Sequence, residues 1–319
     1  MNPYLTKPIE RDEAQLLLAR AGIHDSIASV SPCSGGVTNL NYEVTLESGQ
    51  RVLLRRYAAT QGAADAAATE ALLDPLLRAN AVPSPRLIAA PDEGDFAIFE
   101  WLDGIRLRDA ANRELDPSRL ADAWANAGAA LRRTHEIELP DRRDGEFRGG
   151  RLTPLDVPWV DGFARDLRGG ATTLRSMALL NDADLRRIEA IADRASAFLG
   201  EHVPSLMHGD AHAANVLVRD DAAGWVLTGW IDWERGAVGD ADLDLAVFDV
   251  FTRAQVGATP EAFWTGYGRR PAVERYRLYE LVIVLTLASL DHARVLPPGR
   301  EARRIVTSDL TRLLDALDS

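Results

Sequence analysis

The hydrophobic pattern of the chain changes its period near residues 102–104, and this change limits the folds that are possible. Before this point, short apolar and β-branched runs alternate with turns, which is typical of strands. After it, apolar residues recur at helical spacing, most clearly over 118–134 and 182–199. At 319 residues, the chain is long enough for two hydrophobic cores. We therefore predict an α+β protein with an N-terminal lobe at 1–102 and a C-terminal lobe at 103–319.

The first lobe is predicted to be a mainly antiparallel sheet with helices beside it. Strands are expected at 30–33, 41–46, 50–57, 86–90 and 96–101, and helices at 10–21 and 63–80. The second and third strands flank a turn at 47–49, so together they predict a hairpin. The apolar face of the first helix is expected to be formed by Leu16, Leu17, Leu18 and Ala21. Pro75 is expected to kink or divide the second helix.

The second lobe is predicted to be helical except for a single strand pair. Its strands are expected at 215–219 and 225–231, around a turn at 220–224. The segment 140–157 is rich in glycine, arginine and proline and is expected to connect helices. The longest apolar run, 281–290, contains polar residues and suits a buried helix.

Charge and composition exclude several classes of function. A net charge of -12 argues against nucleic acid as the main partner, because binding a phosphate backbone requires a positive field. The acidic surface is compatible with a cationic substrate or simply with solubility. The single cysteine cannot form an intrachain disulfide, and neither a signal peptide nor a run of about 18 apolar residues is present. We expect a cytoplasmic monomer or homodimer without membrane or nucleic-acid partners.

Polar residues at the two ends of the predicted strand pair point to a metal site. Asn215 begins the first strand and Asp232 ends the second, so an antiparallel hairpin brings their Cα atoms to about 5 Å. Two hard oxygen ligands of this kind suit Mg²⁺, which fills its other positions with water and phosphate oxygens. Asp210 precedes Asn215 by five positions and can face the same site, where it would accept a proton from a substrate hydroxyl. The alternative is that all three are turn and capping residues.

Three segments together resemble the aminoglycoside phosphotransferase and choline kinase family. They are His208-Gly209-Asp210 through Asn215, Ile231-Asp232-Trp233-Glu234, and Gly239-Asp240 through Asp244-Leu245-Ala246. The spacing Asp-x-x-x-x-Asn followed by a metal-binding Asp is that of the kinase catalytic loop. The resemblance implies a bilobal protein-kinase-like fold that uses ATP and Mg²⁺. It assigns Asp210 as the catalytic base or hydroxyl-orienting group, and Asn215 and Asp232 as metal ligands.

The resemblance also assigns nucleotide-binding residues in the first lobe. The glycine-containing loop Ser34, Gly35, Gly36, Val37, Thr38 and Asn39 is similar to the nucleotide loop of choline-kinase-like members. Lys7 is the only lysine and lies outside the sheet, so Arg55 is expected to bind the phosphates, with Glu70 as its ion-pair partner. Strand alternation points Arg56 to the opposite face. The segment 99–104 resembles the hinge, where backbone groups of Glu100 and Leu102 would bind adenine.

The phosphate acceptor is identified only as a small molecule. Aromatic and acidic residues of the second lobe would suit an amine through cation-π and charge contacts, and the candidates are Trp233, Glu234, Trp264 and Tyr267. The same aromatics at helical spacing are also typical of a core. Aminoglycosides, choline-like alcohols, thiamine and aminosugars all remain open, as does a nucleotide-binding regulatory module with little catalysis. His208 is expected to brace its loop, and the 240–244 segment to cap a helix.

Overall fold

The computed structural model describes residues 9–33, 39–57, 63–91, 95–292 and 309–318. Its helices are α1 (Arg11–Arg20), α2 (Ala63–Ala79), α3 (Leu107–Arg113), α4 (Ala121–His135), α5 (Trp159–Ser176), α6 (Asp182–Asp193), α7 (Ala195–Leu199), α8 (Ala241–Val256), α9 (Glu261–Tyr267), α10 (Val273–His292) and α11 (Thr311–Asp318). Its strands are β1 (Ile27–Pro32), β2 (Leu40–Leu46), β3 (Arg51–Arg56), β4 (Leu87–Ala89), β5 (Phe96–Glu100), β6 (Ile105–Arg106), β7 (Gly145–Arg148), β8 (Arg151–Pro154), β9 (Ser205–Met207), β10 (Val216–Asp221), β11 (Gly224–Trp230) and β12 (Ala237–Gly239). None of the described helices is both long and apolar enough to cross a membrane.

The N-terminal part is an antiparallel sheet, as predicted, and its strands lie in the order β1-β2-β3-β5-β4. The β2–β3 hairpin is confirmed, with Tyr42 opposite Leu54 in its register. Alternate residues of β2 are buried, because one face of the sheet packs against α1. In α1 the buried residues are Ala14, Leu17 and Leu18, whereas Leu16 is 67% exposed. The expected position of Leu16 on the apolar face was wrong, because the face follows the i, i+3, i+4 spacing from Ala14.

Helix α2 belongs by its packing to the C-terminal core. Its residues Leu73 and Leu77 are buried in the same cluster as Trp124 of α4 and Trp233. The helix continues through Pro75 without being divided. This packing places α2 between the first sheet and the loop that follows β11, so a side chain from α2 can reach both.

The C-terminal part contains more strands than predicted. In addition to the β10–β11 pair, β6 joins β10, and β8-β7-β12-β9 form a separate four-stranded sheet. The expectation of a single strand pair was therefore wrong. These extra strands span only two to four residues each, which is too short for a period of two to be recognised in the sequence.

A second core is formed by α5, α6, α7, α8, α10 and α11. The segment predicted at 182–199 is divided into α6 and α7 near Arg194. The apolar run at 281–290 lies within α10, as expected for a buried helix. Since β5 ends at Glu100 and β6 already pairs with β10, we retain a lobe boundary after residue 102 as a proposal.

Candidate active site

A cavity of about 560 Å³ lies between the first sheet and the β6-β10-β11 sheet. Residues from both sides line it, among them Cys33, Arg55, Phe99, Leu102, Leu217 and Asp232. The cavity therefore contains side chains separated by almost 200 positions in the sequence, and it brings several of the predicted site residues together.

The loop at 208–215 is held from behind by a buried carboxylate. Asp244, near the start of α8, accepts hydrogen bonds from the backbone N–H of His208 at 2.6 Å and of Gly209 at 3.0 Å. Burial alone raises the pKa of this carboxyl group, but His135, which contacts it at 3.1 Å, and nearby His208 lower the pKa below its ordinary value. Asp244 thus remains ionised and fixes the loop.

His208 braces the loop, as expected from the sequence. Its ring is fully buried between Trp230 and Trp233. The Nε2–H donates to the carbonyl oxygen of Ile231 at 3.0 Å, while Nδ1 accepts from the N–H of Asp210 at 3.3 Å. The hydrogen-bond partners thereby indicate the neutral tautomer with its proton on Nε2. The predicted N-capping is also confirmed, because Asp240 accepts from the N–H of Asp242 at 2.9 Å.

Gly209 is required by the geometry of this loop. Its φ is +78°, and a Cβ atom built there would lie 1.9 Å from the carbonyl oxygen of Arg235. The loop and the turn after Asp232 therefore approach each other more closely than any side chain would permit.

The structure brings Asp210 and Asn215 into contact. The amide Nδ2 of Asn215 donates to the carbonyl oxygen of Asp210 at 2.9 Å and to its carboxylate Oδ2 at 3.2 Å. The side chain of Asp210 is 30% exposed, and its Oδ1 lies 3.7 Å from Nε2 of His212. Burial lowers the pKa of His212 although Asp210 acts in the opposite direction. A partly exposed carboxylate therefore lies beside an imidazole whose pKa is lowered.

Asn215 and Asp232 lie just outside the strands that the sequence assigned to them. β10 begins at Val216 and β11 ends at Trp230, and these two residues are paired. One step further, the N–H of Ile231 donates to the carbonyl oxygen of Asn215 at 2.9 Å. Asp232 then adopts a left-handed conformation, with φ 72° and ψ 56°. The hairpin ladder ends here, and the backbone turns the Asp232 side chain towards the cavity.

Arg55 is the most connected side chain of the cavity. Its guanidinium donates to Glu70 at 2.7 Å, to Asp232 at 3.0 Å and to Oδ1 of Asn41 at 3.0 Å. Burial by itself lowers the pKa of Arg55, but Glu70 and Asp232 outweigh this effect and raise it. Arg56 points the other way and pairs with Glu13 of α1 at 2.6 Å.

Sequence reasoning missed two residues that hold this network. Tyr57 donates a hydrogen bond from its hydroxyl group to Glu70, and Asn41 lies opposite Arg55 in the β2–β3 register. Both could have been found from the strand pattern, since Tyr57 is two residues after Arg55 on the same face. They orient the Arg55–Glu70 pair from both sides.

Glu234 joins the network from the turn after Asp232. Its carboxylate accepts a hydrogen bond from the amide nitrogen of Asn39. Burial, together with the charge of Asp232, raises the pKa of Glu234 to about 7 even though Arg55 opposes the shift. Asn39 and Glu234 connect the segment before β2 to the turn after β11.

The other aromatic candidates for acceptor binding are in the core. Trp264 and Tyr267 on α9 are each 4% exposed and pack against α4, where Gly128 permits the close approach of the two helices. The Tyr267 hydroxyl contacts Nδ1 of His135 at 2.8 Å. Trp233 is equally buried and donates its indole N–H to the carbonyl oxygen of Trp230. The structure does not bring these faces to the cavity, because burial in the core is their dominant packing preference.

Of the remaining nucleotide-binding candidates, two line the cavity and four lie in a segment that the structure does not describe. Ser34, Gly35, Gly36 and Thr38 lie outside the described residues. Leu102 lines the cavity. Glu100 does too, but its backbone N–H already donates to the carbonyl oxygen of Arg86 at 2.8 Å. This bond limits the expected adenine contact of Glu100 to its carbonyl oxygen.

The oxygen atoms at this site fit a hard cation. Both Asn215 hydrogen bonds to Asp210 use the amide nitrogen, so its carbonyl oxygen can act as a ligand beside the partly exposed carboxylate of Asp232. Two protein oxygens are the number that Mg²⁺ commonly takes when phosphate oxygens complete its octahedron. Over the described part of the chain, no group of three or more His, Cys, Asp or Glu residues forms a metal cluster.

Comparison with known proteins gives a family match and a set of similar folds. A model of the phosphotransferase enzyme family matches residues 29–279. An apo, thermostable mutant of the aminoglycoside phosphotransferase APH(4)-Ia is 17% identical with a TM-score of 0.69, covering 95% of this chain and 98% of that one. A putative fructosamine-3-kinase from Thermobifida fusca is 21% identical with a TM-score of 0.65, covering 97% and 100%.

A third similar structure is the streptomycin-ATP-APH(2'')-IIa ternary complex, which is 18% identical with a TM-score of 0.60 and covers 96% of this chain and 97% of that one. A search of curated proteins finds no match. At these identities the structures establish the fold, and they confirm the predicted bilobal protein-kinase-like architecture.

Proposed function

The chain belongs to the phosphotransferase enzyme family, and from this premise we propose that it transfers the γ-phosphate of ATP to a hydroxyl group of a small, amine-bearing molecule. The observation that carries the proposal is the convergence of three residues at one hairpin. Asp210 contacts Asn215, and Asn215 pairs through its backbone with the residue before Asp232. A base and two metal ligands held together, with Asp232 lining the cavity, are the parts that phosphoryl transfer requires.

Asp210 acts as the base of the reaction. The acceptor oxygen attacks the γ-phosphorus, the bond from that phosphorus to the β–γ bridging oxygen breaks, and ADP leaves. The hydroxyl proton passes to the Asp210 carboxylate, which its partial exposure makes accessible to the acceptor. The hydrogen bond from Asn215 at 3.2 Å orients this carboxylate. Positioning of this kind accounts for most of the catalysis of phosphoryl transfer.

Arg55 binds the nucleotide phosphates. A guanidinium offers a planar fork of donors that matches two phosphate oxygens, whereas a lysine ammonium acts as a point charge. Asn41, Glu70 and Tyr57 fix the orientation of that fork. Asn215 and Asp232 would hold Mg²⁺, which would offset the negative charge of the nucleotide phosphates.

ATP is the proposed donor because one structural relative is described as a complex with streptomycin and ATP. In this chain, Glu100 and Leu102 line the cavity where the adenine ring would lie. A cytoplasmic location is proposed with it, since a single cysteine among 319 residues suits a reducing compartment.

The proposed acceptor carries an amine. Glu234 is the acceptor-side candidate that joins the network beside the cavity, where it and the nearby Asp232 place two carboxyl groups close together. Aminoglycosides and fructosamine-type compounds, named for two structural relatives, both contain amines that such carboxylates would favour. Choline-like alcohols and thiamine complete the set of acceptors to be tested.

The test is phosphate transfer from γ-labelled ATP in the presence of Mg²⁺ to a panel of these acceptors, with product identified by phosphorus NMR. We expect transfer to at least one amine-bearing alcohol, and transfer that is slower by roughly 10²-fold or more with Asp210→Ala. Asp122→Ala, which removes an exposed carboxylate from the first turn of α4, is the matched control and should retain activity. Nucleotide binding without transfer to any acceptor would instead support a regulatory module.

A further inference from the structure

We propose that Arg106 is a second phosphate-binding cation of the nucleotide site, supplied by β6 on the C-terminal side of the cavity. The inference rests on the proposed function, because it takes a nucleotide as the ligand. Arg106 lines the same cavity as Arg55 and Asp232, but no motif of the sequence drew attention to it.

The strand register fixes the position of Arg106 relative to the catalytic hairpin. In the β6–β10 pair, Arg106 lies directly opposite Leu217. Paired residues of antiparallel strands project from the same face of a sheet, and Leu217 also lines the cavity. Asn215, a candidate metal ligand, is only two residues before Leu217. Arg106 is therefore attached to the same rigid hairpin that carries the proposed metal site.

The charge of Arg106 is not neutralised by the protein around it. Its side chain is half-buried, yet within the ranges that the structure describes no carboxylate lies within ion-pair distance of it. The neighbouring Arg108 pairs with Asp109 at 2.9 Å. Burial and the adjacent charge of Arg108 lower the pKa of Arg106, but arginine remains protonated at neutral pH. A desolvated cation in this state favours an anionic ligand.

Arg55 cannot supply the whole positive charge of the site. It is already compensated by Glu70 and Asp232, both at 3.0 Å or less, and Glu234 lies close by. A nucleotide triphosphate that enters this acidic surrounding needs a further cation to offset its charge. Arg106 can supply this cation because it lines the same cavity as Asp232. Asp232 and Cys33 are among its charged or polar neighbours.

The test compares the affinities of MgATP, MgADP and adenosine for the intact protein, for Arg106→Ala and for Arg106→Lys, measured by calorimetry. We expect Arg106→Ala to weaken MgATP binding by about 10- to 100-fold, the range for a hydrogen bond to a charged group. Adenosine affinity should not change, and Arg106→Lys should recover part of the loss. Arg133→Ala, which removes an exposed arginine from α4, controls for the change in net charge.

Unchanged MgATP affinity in Arg106→Ala, with normal binding by the unaltered protein, would overturn this inference and leave the proposed function standing. An equal loss for adenosine and MgATP would overturn it as well, because a phosphate contact cannot affect adenosine. An effect on the acceptor KM alone would assign Arg106 to an anionic acceptor group and reject the nucleotide role. Absence of MgATP binding by the unaltered protein would instead contradict the proposed function itself.

Discussion

Arg55 donates a hydrogen bond of 3.0 Å to Asp232, a residue 177 positions further along the chain. The bond joins β3 of the first sheet to the turn that ends the β10–β11 hairpin. Because Arg55 also pairs with Glu70 of α2, one guanidinium connects the three elements that surround the proposed phosphate site. Substitutions of the residues around this contact should therefore change the free energy of unfolding and the phosphate-transfer activity to different extents.

Asp210→Ala and Asp232→Ala should have different effects on the reaction. Loss of the base at Asp210 should lower kcat by roughly 10²- to 10⁴-fold and leave MgATP affinity nearly unchanged. Loss of Asp232 should also weaken binding of MgATP, while binding of metal-free ATP should change little. Steady-state kinetics and calorimetry with and without Mg²⁺ measure both effects. If the Asp210→Ala protein were fully active, Asp210 would not be the base of the reaction.

Arg55→Ala and Arg56→Ala should differ in their free energies of unfolding. The first leaves Glu70, whose side chain is 4% exposed, without its cation and should cost about 3–5 kcal/mol. The second breaks a pair with side chains 39% and 42% exposed and should cost at most about 1 kcal/mol. Urea denaturation measures the difference.

The two arginines also differ in their expected effect on the nucleotide. Arg55→Lys keeps the charge and the fold but loses the planar fork, so MgATP affinity should fall, whereas Arg56→Ala should leave it unchanged. If only Arg56→Ala weakened MgATP binding, Arg56 and not Arg55 would be the arginine of β3 that faces the cavity.

Gly209→Ala should destabilise the protein more than Gly22→Ala does. Both glycines have nearly the same φ, +78° and +77°, so both substitutions carry the left-handed penalty of about 1–2 kcal/mol. A Cβ atom at Gly22 meets nothing within 4 Å, whereas at Gly209 it lies 1.9 Å from a carbonyl oxygen. Gly209→Ala should also lose transfer activity, since Asp210 must move. Equal unfolding free energies for the two variants would refute the close approach.

Glu234→Gln should remove a defined part of the pH dependence of stability. The pKa of Glu234 is about 7 in the folded protein against an ordinary value of 4.5. Between these values the folded state holds a proton that the unfolded state has lost, so this group makes stability fall as pH rises through the window.

Urea unfolding at pH 5 and pH 8 tests this sign. The free energy of unfolding of the unaltered protein, relative to Glu234→Gln, should be lower at pH 8 than at pH 5. The subtraction cancels the titration of groups that do not interact with Glu234. A difference that does not vary with pH would show that Glu234 titrates normally.

Several features of the site were accessible from the sequence because they are local. Alternation along β3 separated Arg55 from Arg56, and the lengths of β10 and β11 brought Asn215 near Asp232. The spacing from Asp210 to Asn215 is likewise within one loop. The period of two follows from strand geometry, and residues five positions apart in one loop are close because the connecting chain is short.

The acceptor-side assignments were less successful because burial depends on distant contacts. Trp264 and Tyr267 lie on α9. They are buried because this helix packs against α4, which is more than 120 residues earlier in the chain. A helical aromatic pattern is the same for a core and for a binding surface. The pattern therefore left both interpretations open.

By itself, the sequence determined the α+β class, the antiparallel first sheet, the strand alternation of Arg55 and the hairpin that carries Asn215 and Asp232. Only the tertiary structure decided that the left-handed turn of Asp232 meets Arg55, that Asp244 holds the loop before Asp210, and that Arg106 enters the cavity from a two-residue strand. Backbone periodicity is a local property, whereas these contacts join segments 35 to 177 positions apart. Such pairings form only when the whole core packs and selects one arrangement among many.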